Sequence, residues 1–504
     1  MNIAIINLTH TLRTLGALNV STFLREKGYP HSFVHFLTTP HAVSPDDPVS
    51  PEAATAALIS FLESKRPDIV GLSFMTLYFS TAQQLAIRVK QALPSALIVL
   101  GGVHPTVAPD ECLAFGDVVC LGDGEEPLFD LVHALDHNLD FCKVKNLWVK
   151  HGSLVHKNEL RRLCEDLDQR PFPTTDWGNT FLLHDGAVVP LTQDLFNQHA
   201  PRQGTLYDIM ASRGCPFSCR YCCNSIFNTM NCGLGKRLRF RSVDHIISEL
   251  QYVKATFPKV QIVNFQDDAF GTARNDYVQA FCRAYKEKVG LPFHLRIIPT
   301  QAKINEDNVA RFKDAGLMSV VMGLQGSDKM NREIYNRPTT QKSFIAAAKM
   351  IKRHKLIGRY DVIIDNPYST EEDEVEAIRT FNSIPKPYGL IIYSLAFFPF
   401  TELTKRAIRD GKYDPGSSGY ETGYGSKKHL FPVLARLIRM TPYTPSALID
   451  LFLRIRGWAV GKAVISGYYH TVFRLERALI IRRVKRNART ILFVRKVLLK
   501  MFRR

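Results

Sequence analysis

Met210-Ala-Ser-Arg-Gly-Cys-Pro-Phe-Ser-Cys-Arg-Tyr-Cys-Cys-Asn224 sets three thiols, Cys215, Cys219 and Cys222, in a C-x3-C-x2-C spacing. The residues ahead of them, Leu206 to Ala211, read as a short buried strand. Gly214 and Pro216 then break regular structure where the thiols begin, so the three sulfurs hang from a loop at a strand end. A tight thiolate cluster is a metal-site signature, and all-sulfur ligation favours zinc or iron–sulfur. A structural zinc asks for four ligands, commonly two distant C-x2-C pairs, and no second pair occurs in this chain. Three ligands on one short loop suit three corners of a cubane, with the fourth iron open. Cys223 follows Cys222 directly and points to the opposite side in an extended segment, whereas Cys232 remains able to reach back. The alternative, ordinary buried cysteines, is disfavoured because three of the ten cysteines fall within eight residues.

The 504 residues exceed one core, so two domains with extensions are expected. Cysteines used as ligands or small buried residues suit a reducing, cytoplasmic compartment. The first residues, Met-Asn-Ile-Ala-Ile-Ile-Asn-Leu, read as a strand and not as a signal peptide. No run of about 18 uncharged apolar residues predicts a spanning helix. The net charge of +18 is concentrated: residues 451–504 hold 15 Lys/Arg against the single acid Glu476, and the first 450 residues are nearly neutral.

Residues 1–138 alternate strand and helix signals. Asn2–Leu8, His31–Phe36, Asp68–Ser73, Ala96–Leu100 and Asp117–Leu121 are short and rich in Ile, Val, Phe or Leu, as buried parallel strands are. Between them, Leu85, Val89 and Leu93 recur at helical spacing. The pattern predicts a doubly wound, flavodoxin-like (Rossmann-type) α/β sheet, whose ligands sit at the carboxyl ends of the strands. Those ends carry Ser73 and Thr76, Gly101 and Gly102, then Gly122, Gly124 and Glu125. Glycines permit close approach and hydroxyls bind polar groups, although the same residues serve ordinary turns.

Residues 139–205 form a polar, Pro-containing connector with a hairpin at His151-Gly-Ser and no catalytic signal. Residues 206–410 resume the strand–helix alternation. Strands are expected at Val260–Gln266, Phe293–Pro299, Ser319–Leu324, Tyr360–Asp365 and Leu390–Phe397, with helices over Val243–Ala255 and Asn305–Ala315. Residues 411–504 form a mainly α extension, with a Gly/Ser/Tyr-rich loop over 413–428. From Phe473, Ile480, Val484, Ile491, Val494, Leu498 and Phe502 recur at three, four or seven residues, opposite a basic face that Phe493 and Arg495 interrupt. Three roles stay open for that face: peripheral contact with an anionic inner membrane surface, solvation of a helix packed on the barrel, and RNA binding, the last disfavoured.

Cys215-Pro-Phe-Ser-Cys219-Arg-Tyr-Cys222 resembles the cluster loop of the radical S-adenosylmethionine (SAM) superfamily, including the aromatic Tyr221. The resemblance implies that Cys215, Cys219 and Cys222 hold a 4Fe-4S cluster whose open iron chelates SAM, on a partial (β/α)6 TIM-type barrel. It places Tyr221, Gln266, Asp267, Asp268, Gln325 and Asp365 at SAM, although an Asp such as Asp268 can equally cap a helix. Gly71-Leu-Ser73, the stretch Gly101-Gly-Val-His-Pro-Thr106 and Gly122-Asp-Gly-Glu125 are similar to the cobalamin-binding domain that precedes many such barrels. Ser73, Thr76, Gly101, Gly102, Gly122, Gly124 and Glu125 are then the cobalamin contacts. The chain has no D-x-H-x-x-G string, so the lower face of cobalt is expected to lack a histidine; His10 and His104 read as structural.

The function implied is reductive SAM cleavage to a 5'-deoxyadenosyl radical, hydrogen abstraction from an unactivated carbon, and methyl transfer from methylcobalamin. The substrate would be a small molecule or a lipid, and the electron donor a flavodoxin or ferredoxin. Radical cyclisation without net methylation is the nearest alternative, and a non-catalytic, membrane-associated cobalamin or metal sensor is the alternative of another class. No catalytic residue is assignable beyond the cluster ligands.

Overall fold

Strand β1 (Ile3–Thr9) is buried along its whole length, and its side chains divide between two cores. Ala4, Ile6 and Leu8 join the cluster on one face of the sheet, Ile3 and Ile5 the cluster on the other. Alternation across a strand delivers this split, and burial on both faces is the condition of a parallel sheet covered by helices. In this computed structural model the described residues are 1–12, 15–37, 50–300, 305–415, 446–457, 461, 463–468 and 470. The loop expected over 413–428 lies largely outside them, and the amphipathic stretch from Phe473 lies wholly outside.

The chain folds as two units, Met1–Asp268 with Phe397–Glu421, and Ala269–Ala396 with the described residues beyond 421. In the first, β1 pairs in parallel with β2 (Ser32–Leu37) and β3 (Ile69–Ser73), then β4 (Leu97–Gly101) and β5 (Val118–Cys120) follow. The order β5-β4-β3-β1-β2 is the doubly wound arrangement expected, with its switch point between β1 and β3. The connector does more than link. Its hairpin, β6 (Leu147–His151) and β7 (Leu154–Lys157), extends the β5 edge. A second hairpin, β8 (Thr180–His184) and β9 (Ala187–Pro190), extends the β2 edge. The sequence Thr-Phe-Leu-Leu of β8 is buried, which explains why this polar-looking segment joins a sheet.

Further along the first unit, β10 (Leu206–Ile209) is followed by the two-residue strands β11 (Ser212–Arg213) and β12 (Arg239–Phe240), which pair antiparallel. Strand β13 (Ile262–Phe265) pairs in parallel with β10.

The second unit holds four parallel strands: β14 (Phe293–Arg296), β15 (Leu317–Gln325), β16 (Ile357–Ile364) and β17 (Gly389–Ser394). The strands expected for the second half of the chain are thus present, β10 and β13 in the first unit and β14 to β17 in the second. One face of the four is apolar and buried: Phe293 and Leu295, then Val320, Met322 and Leu324, then Tyr360, Val362 and Ile364. Aromatic helix residues cover it. Tyr285 stands 4.8 Å from Phe293 and Phe344 5.1 Å from Tyr360, ring centre to ring centre. Two of the helices on this unit, Gln341–Arg353 and Glu371–Ser383, begin at polar caps, Thr340 and Thr370 both forming reciprocal capping boxes with the residue three places on.

Candidate functional site

The cluster loop is fixed by a carboxylate that accepts from the residues ahead of the thiols and by amides that donate to its carbonyls. Asp267, almost fully buried at the end of β13, accepts from the Ala211 amide at 3.1 Å and the Ser212 hydroxyl at 2.5 Å. Burial, only partly offset by these bonds, pushes its carboxyl up to about 6. Next, Gly214 adopts φ +90°, where a Cβ would fall on the Arg237 carbonyl oxygen, so only glycine fits immediately before Cys215. The Asn228 side-chain amide, on the helix Cys223–Met230, donates to the carbonyls of Cys215 at 3.1 Å and Phe217 at 3.0 Å. The Cys222 amide closes a turn onto Cys219 O at 3.0 Å, and Leu403 N returns from the helix Glu402–Arg409 to Arg220 O at 3.0 Å.

Cys215 and Cys219 are buried, Cys222 is partly so, and none of the ten cysteines is in a disulfide among the described residues. Burial pushes the Cys215 thiol up to about 12, with Asp268, Cys222 and Cys219 adding to the rise. Cys223 shares a hydrogen bond with Cys222, and Cys232 is exposed. No three His, Cys, Asp or Glu side chains among the described residues converge on a point suited to one metal ion. A cubane makes a different demand, one thiolate on each of three irons, and a loop carrying three sulfurs on pinned backbone suits that demand.

Of the strand-end residues expected at SAM, Asp268 meets the cluster segment. Its Oδ2 accepts from Asn224 Nδ2 at 2.9 Å, beside Cys222 and Cys223. Gln266 turns instead to Asp208, donating at 2.8 Å, and Tyr221 is half-buried within the loop. In the second unit Gln325 and Asp365 both adopt left-handed backbone, φ +68° and +61°. Gln325 sits at a bulge in the β15–β16 register, and Asp365 Oδ2 accepts from Ser394 Oγ at 2.6 Å.

A cavity of about 400 Å³ opens at the β1/β3 switch point of the first unit. Six of the seven expected cobalamin contacts line it: Ser73, Gly101, Gly102, Gly122, Gly124 and Glu125. The seventh, Thr76, is buried beside His104, with Thr76 Oγ1 3.3 Å from Nδ1. Gly102, at φ +106°, lies so close to Phe74 that a Cβ would stand 2.6 Å from its carbonyl oxygen. The floor is apolar, with Ile5, Val20 and Val99, and the opposite wall comes from the cluster segment through Gly214, Asn224 and Asp268. A slot with apolar walls and small strand-end residues fits a flat macrocycle bearing amide side chains. No histidine is among its described lining residues: His104 packs between Phe74 and Phe79, and His10 meets the Tyr78 hydroxyl at 2.6 Å.

Sequence reasoning missed an ion network. Arg170 reaches Asp123 at 3.0 Å and Glu126 at 2.7 Å, Arg213 reaches Glu125 at 2.5 Å and Asp123 at 3.3 Å, and Arg239 reaches Asp123 at 3.3 Å. Burial alone would raise the Asp123 carboxyl, but the three guanidinium groups hold it well below the usual range. The three arginines are far apart in the chain and only the fold collects them. One signal was available: Arg213 immediately precedes the Gly-Cys of the loop.

Two family models match the chain, the B12 binding domain over residues 1–132 and the radical SAM superfamily over residues 209–381. An uncharacterized methyltransferase of Pyrococcus horikoshii is 26% identical over 372 residues, 73% of this chain and 75% of its own. The anaerobic magnesium-protoporphyrin IX monomethyl ester cyclase of Cereibacter sphaeroides is 23% identical over 330 residues, 63% of this chain but only 50% of that enzyme. Among solved structures, the radical SAM methyltransferase TsrM of Kitasatospora setae aligns with a TM-score of 0.64 at 12% identity, over 81% of this chain and 76% of its own. The cobalamin-dependent SAM radical enzyme OxsB aligns with a TM-score of 0.64 at 14% identity, over 99% and 75%. At these identities the structural likeness is one of fold. Cluster loop, parallel strands and preceding doubly wound domain together are those of a radical SAM enzyme. The chain belongs to the radical SAM superfamily, among the enzymes with a B12-binding domain, and its cofactors are a 4Fe-4S cluster, SAM and cobalamin.

Proposed function

We propose that this enzyme methylates an unactivated carbon. When bound, the cluster and SAM supply a 5'-deoxyadenosyl radical, and cobalamin supplies a transferable methyl group. The observation that carries the reading is the single cavity lined on one side by the strand ends of the B12-binding domain and on the other by Gly214, Asn224 and Asp268 of the cluster segment. In this reading Cys215, Cys219 and Cys222 hold the cluster, Tyr221 and Asp268 contact SAM, and Ser73 and the glycines Gly101, Gly102, Gly122 and Gly124 seat the corrin. Asp267 and Asn228 position the loop backbone, and the apolar floor excludes water. A one-electron donor of the flavodoxin or ferredoxin kind completes the system. The basic, apolar stretch after Phe473 supports a lipid or lipid-linked substrate at an anionic membrane surface, which deletion of 471–504 followed by liposome sedimentation would test.

Radical ring closure without net methylation is the second reading, favoured by the similarity to the Cereibacter cyclase. Anaerobic reconstitution with iron, sulfide, SAM, dithionite and hydroxocobalamin separates the cases. Wild type should form 5'-deoxyadenosine and retain corrin, and Cys219→Ala should form none. Cleavage without bound corrin would leave a radical enzyme and remove methyl transfer from the proposal.

A further inference from the structure

The cavity at the β1/β3 switch point carries more positive charge than its carboxylates neutralise. Six arginines line it against four carboxylates, with no lysine among its described lining residues. Most of that charge is engaged. Arg170, Arg213 and Arg239 pair with Asp123, Glu125 and Glu126. Arg161 is held by Asp130 and by the Lys145 carbonyl, each 3.0 Å from its Nη2. Two arginines remain, Arg162 and Arg237, both exposed at the cavity. Neither side chain makes a salt bridge or hydrogen bond among the described residues. Glu165 senses the Arg162 charge but is bonded to Lys236, at 3.2 Å.

The fold sets these two arginines on one side of the cavity. Leu163 N donates to the Leu234 carbonyl at 2.7 Å, so the chain just after Arg162 lies beside the chain just before Arg237. Gly235, at φ +134°, permits the approach: a Cβ there would stand 3.3 Å from both Leu163 Cβ and Glu165 Oε1. Arg239 Nη1 fastens the same two segments by donating to the Cys164 carbonyl at 2.9 Å. Deeper in the wall, Arg170 Nε and Arg239 Nε are buried with no hydrogen-bond acceptor. A cavity with unmatched cations and buried donors lacking acceptors is short of an anion.

On a cobalamin the peripheral amides are neutral and the cobalt–corrin core carries no net negative charge. Its anion is the phosphodiester that joins the ring to the nucleotide tail. We infer that Arg162 and Arg237 bind this phosphodiester, so that the cavity selects a complete corrinoid over one cut back to the ring. The inference rests on the proposed seating of the corrin and adds a contact to a part of the cofactor that the strand-end glycines cannot recognise. Guanidinium groups suit the task because they meet phosphate oxygens through paired, charge-assisted hydrogen bonds.

The test compares hydroxocobalamin with cobinamide, which keeps the corrin ring and its amides but lacks the phosphodiester, ribose and base. Full-length protein with its cluster reconstituted, produced without corrinoid, is equilibrium-dialysed against each, and free corrin is read by absorbance. Wild type should prefer cobalamin. In the double variant Arg162→Gln/Arg237→Gln, cobalamin affinity should fall about tenfold while cobinamide affinity stays put, and Arg162→Lys/Arg237→Lys should recover part of the loss. Any contribution of the base to the preference is the same in all three proteins, and unchanged cobinamide binding certifies the fold of the variant. A fall equal for both corrinoids, or no fall for either, overturns the assignment. Wild type binding both corrinoids equally removes only the phosphodiester contact, whereas binding of neither removes the corrin seat on which the inference rests.

Discussion

Arg213 donates to Glu125 at 2.5 Å, joining the residue two places ahead of Cys215 to the first residue of the helix Glu125–Asp136 that follows β5. One partner is thus part of the cluster segment and the other of the wall of the cavity proposed for the corrin. Glu125 is 3% exposed, so replacing it strands buried positive charge on Arg213 and Arg170. Glu125→Gln should cost about 3 kcal/mol of stability and lower both iron and corrin retention. Paired measurement of thermal unfolding and cofactor content checks this, and full retention of both cofactors would reduce the bridge to a packing contact.

Asp123 gives the same network a pH signature. Its carboxyl is held low by Arg213, Arg170 and Arg239, so the native state binds fewer protons there than the unfolded chain. The stability it contributes is complete above the ordinary carboxylate value near about 4 and is lost as pH falls below it. Unfolding midpoints measured from about pH 3 to 7 should fall at the acid end in wild type and fall less steeply in Asp123→Asn. Parallel curves would show that the three arginines contribute nothing through this carboxylate.

Asp267 predicts the opposite slope. Burial raises its carboxyl to about 6, so the native state keeps a proton that the unfolded chain has released. Its contribution is present below the ordinary value near about 4 and is lost as pH rises through about 6. Asp267→Ala removes the acceptor for the Ala211 amide and the Ser212 hydroxyl, at about 1–3 kcal/mol for each group left buried. The variant should lose cluster loading, read as iron per chain and the brown absorbance of the reconstituted protein, while Asp267→Asn retains an acceptor and recovers part of it.

How much of this was legible follows from what each feature depends on. The strands of the first domain could be read because apolar runs such as Ile3–Leu8 are continuous in sequence, and the cluster loop because its three thiols fall within eight residues. The second hairpin, β8 and β9, could not, because Thr180–His184 becomes a strand only by burial against β2. Asp267 was noticed as a strand-end carboxylate, but its engagement with Ala211 and Ser212 depends on β10 and β13 lying side by side. The pairing of Arg170, Arg213 and Arg239 with Asp123 left no local trace beyond the place of Arg213 before the cluster loop, since those residues lie 47, 90 and 116 positions from it. Local chemistry is written in spacing, whereas long-range charge pairing is written only in the fold.

Gly214 offers a steric test of the loop itself. With φ at +90° and the Arg237 carbonyl in the place of any Cβ, alanine would force either the loop or the β11–β12 ribbon to move. Left-handed strain alone costs about 1–3 kcal/mol, and the clash adds to it. Gly214→Ala should therefore load little iron while leaving far-ultraviolet dichroism nearly unchanged. Normal loading would mean that the thiols tolerate displacement of their first anchor.

The corrin cavity makes the last prediction. Among its described lining residues are glycines, a serine, a threonine and apolar side chains but no histidine. His104 is buried between Phe74 and Phe79, and burial lowers its pKa to about 4, so it is a neutral packing residue bonded to Thr76, as the sequence reading expects. His10 is occupied with the Tyr78 hydroxyl. Cobalt should then receive no imidazole from the protein. Protein grown with 15N-histidine, loaded with cobalamin and reduced to the Co(II) state, should give the same paramagnetic resonance superhyperfine pattern as unlabelled protein. A pattern that changes with the label would prove histidine ligation and overturn this reading of the cavity.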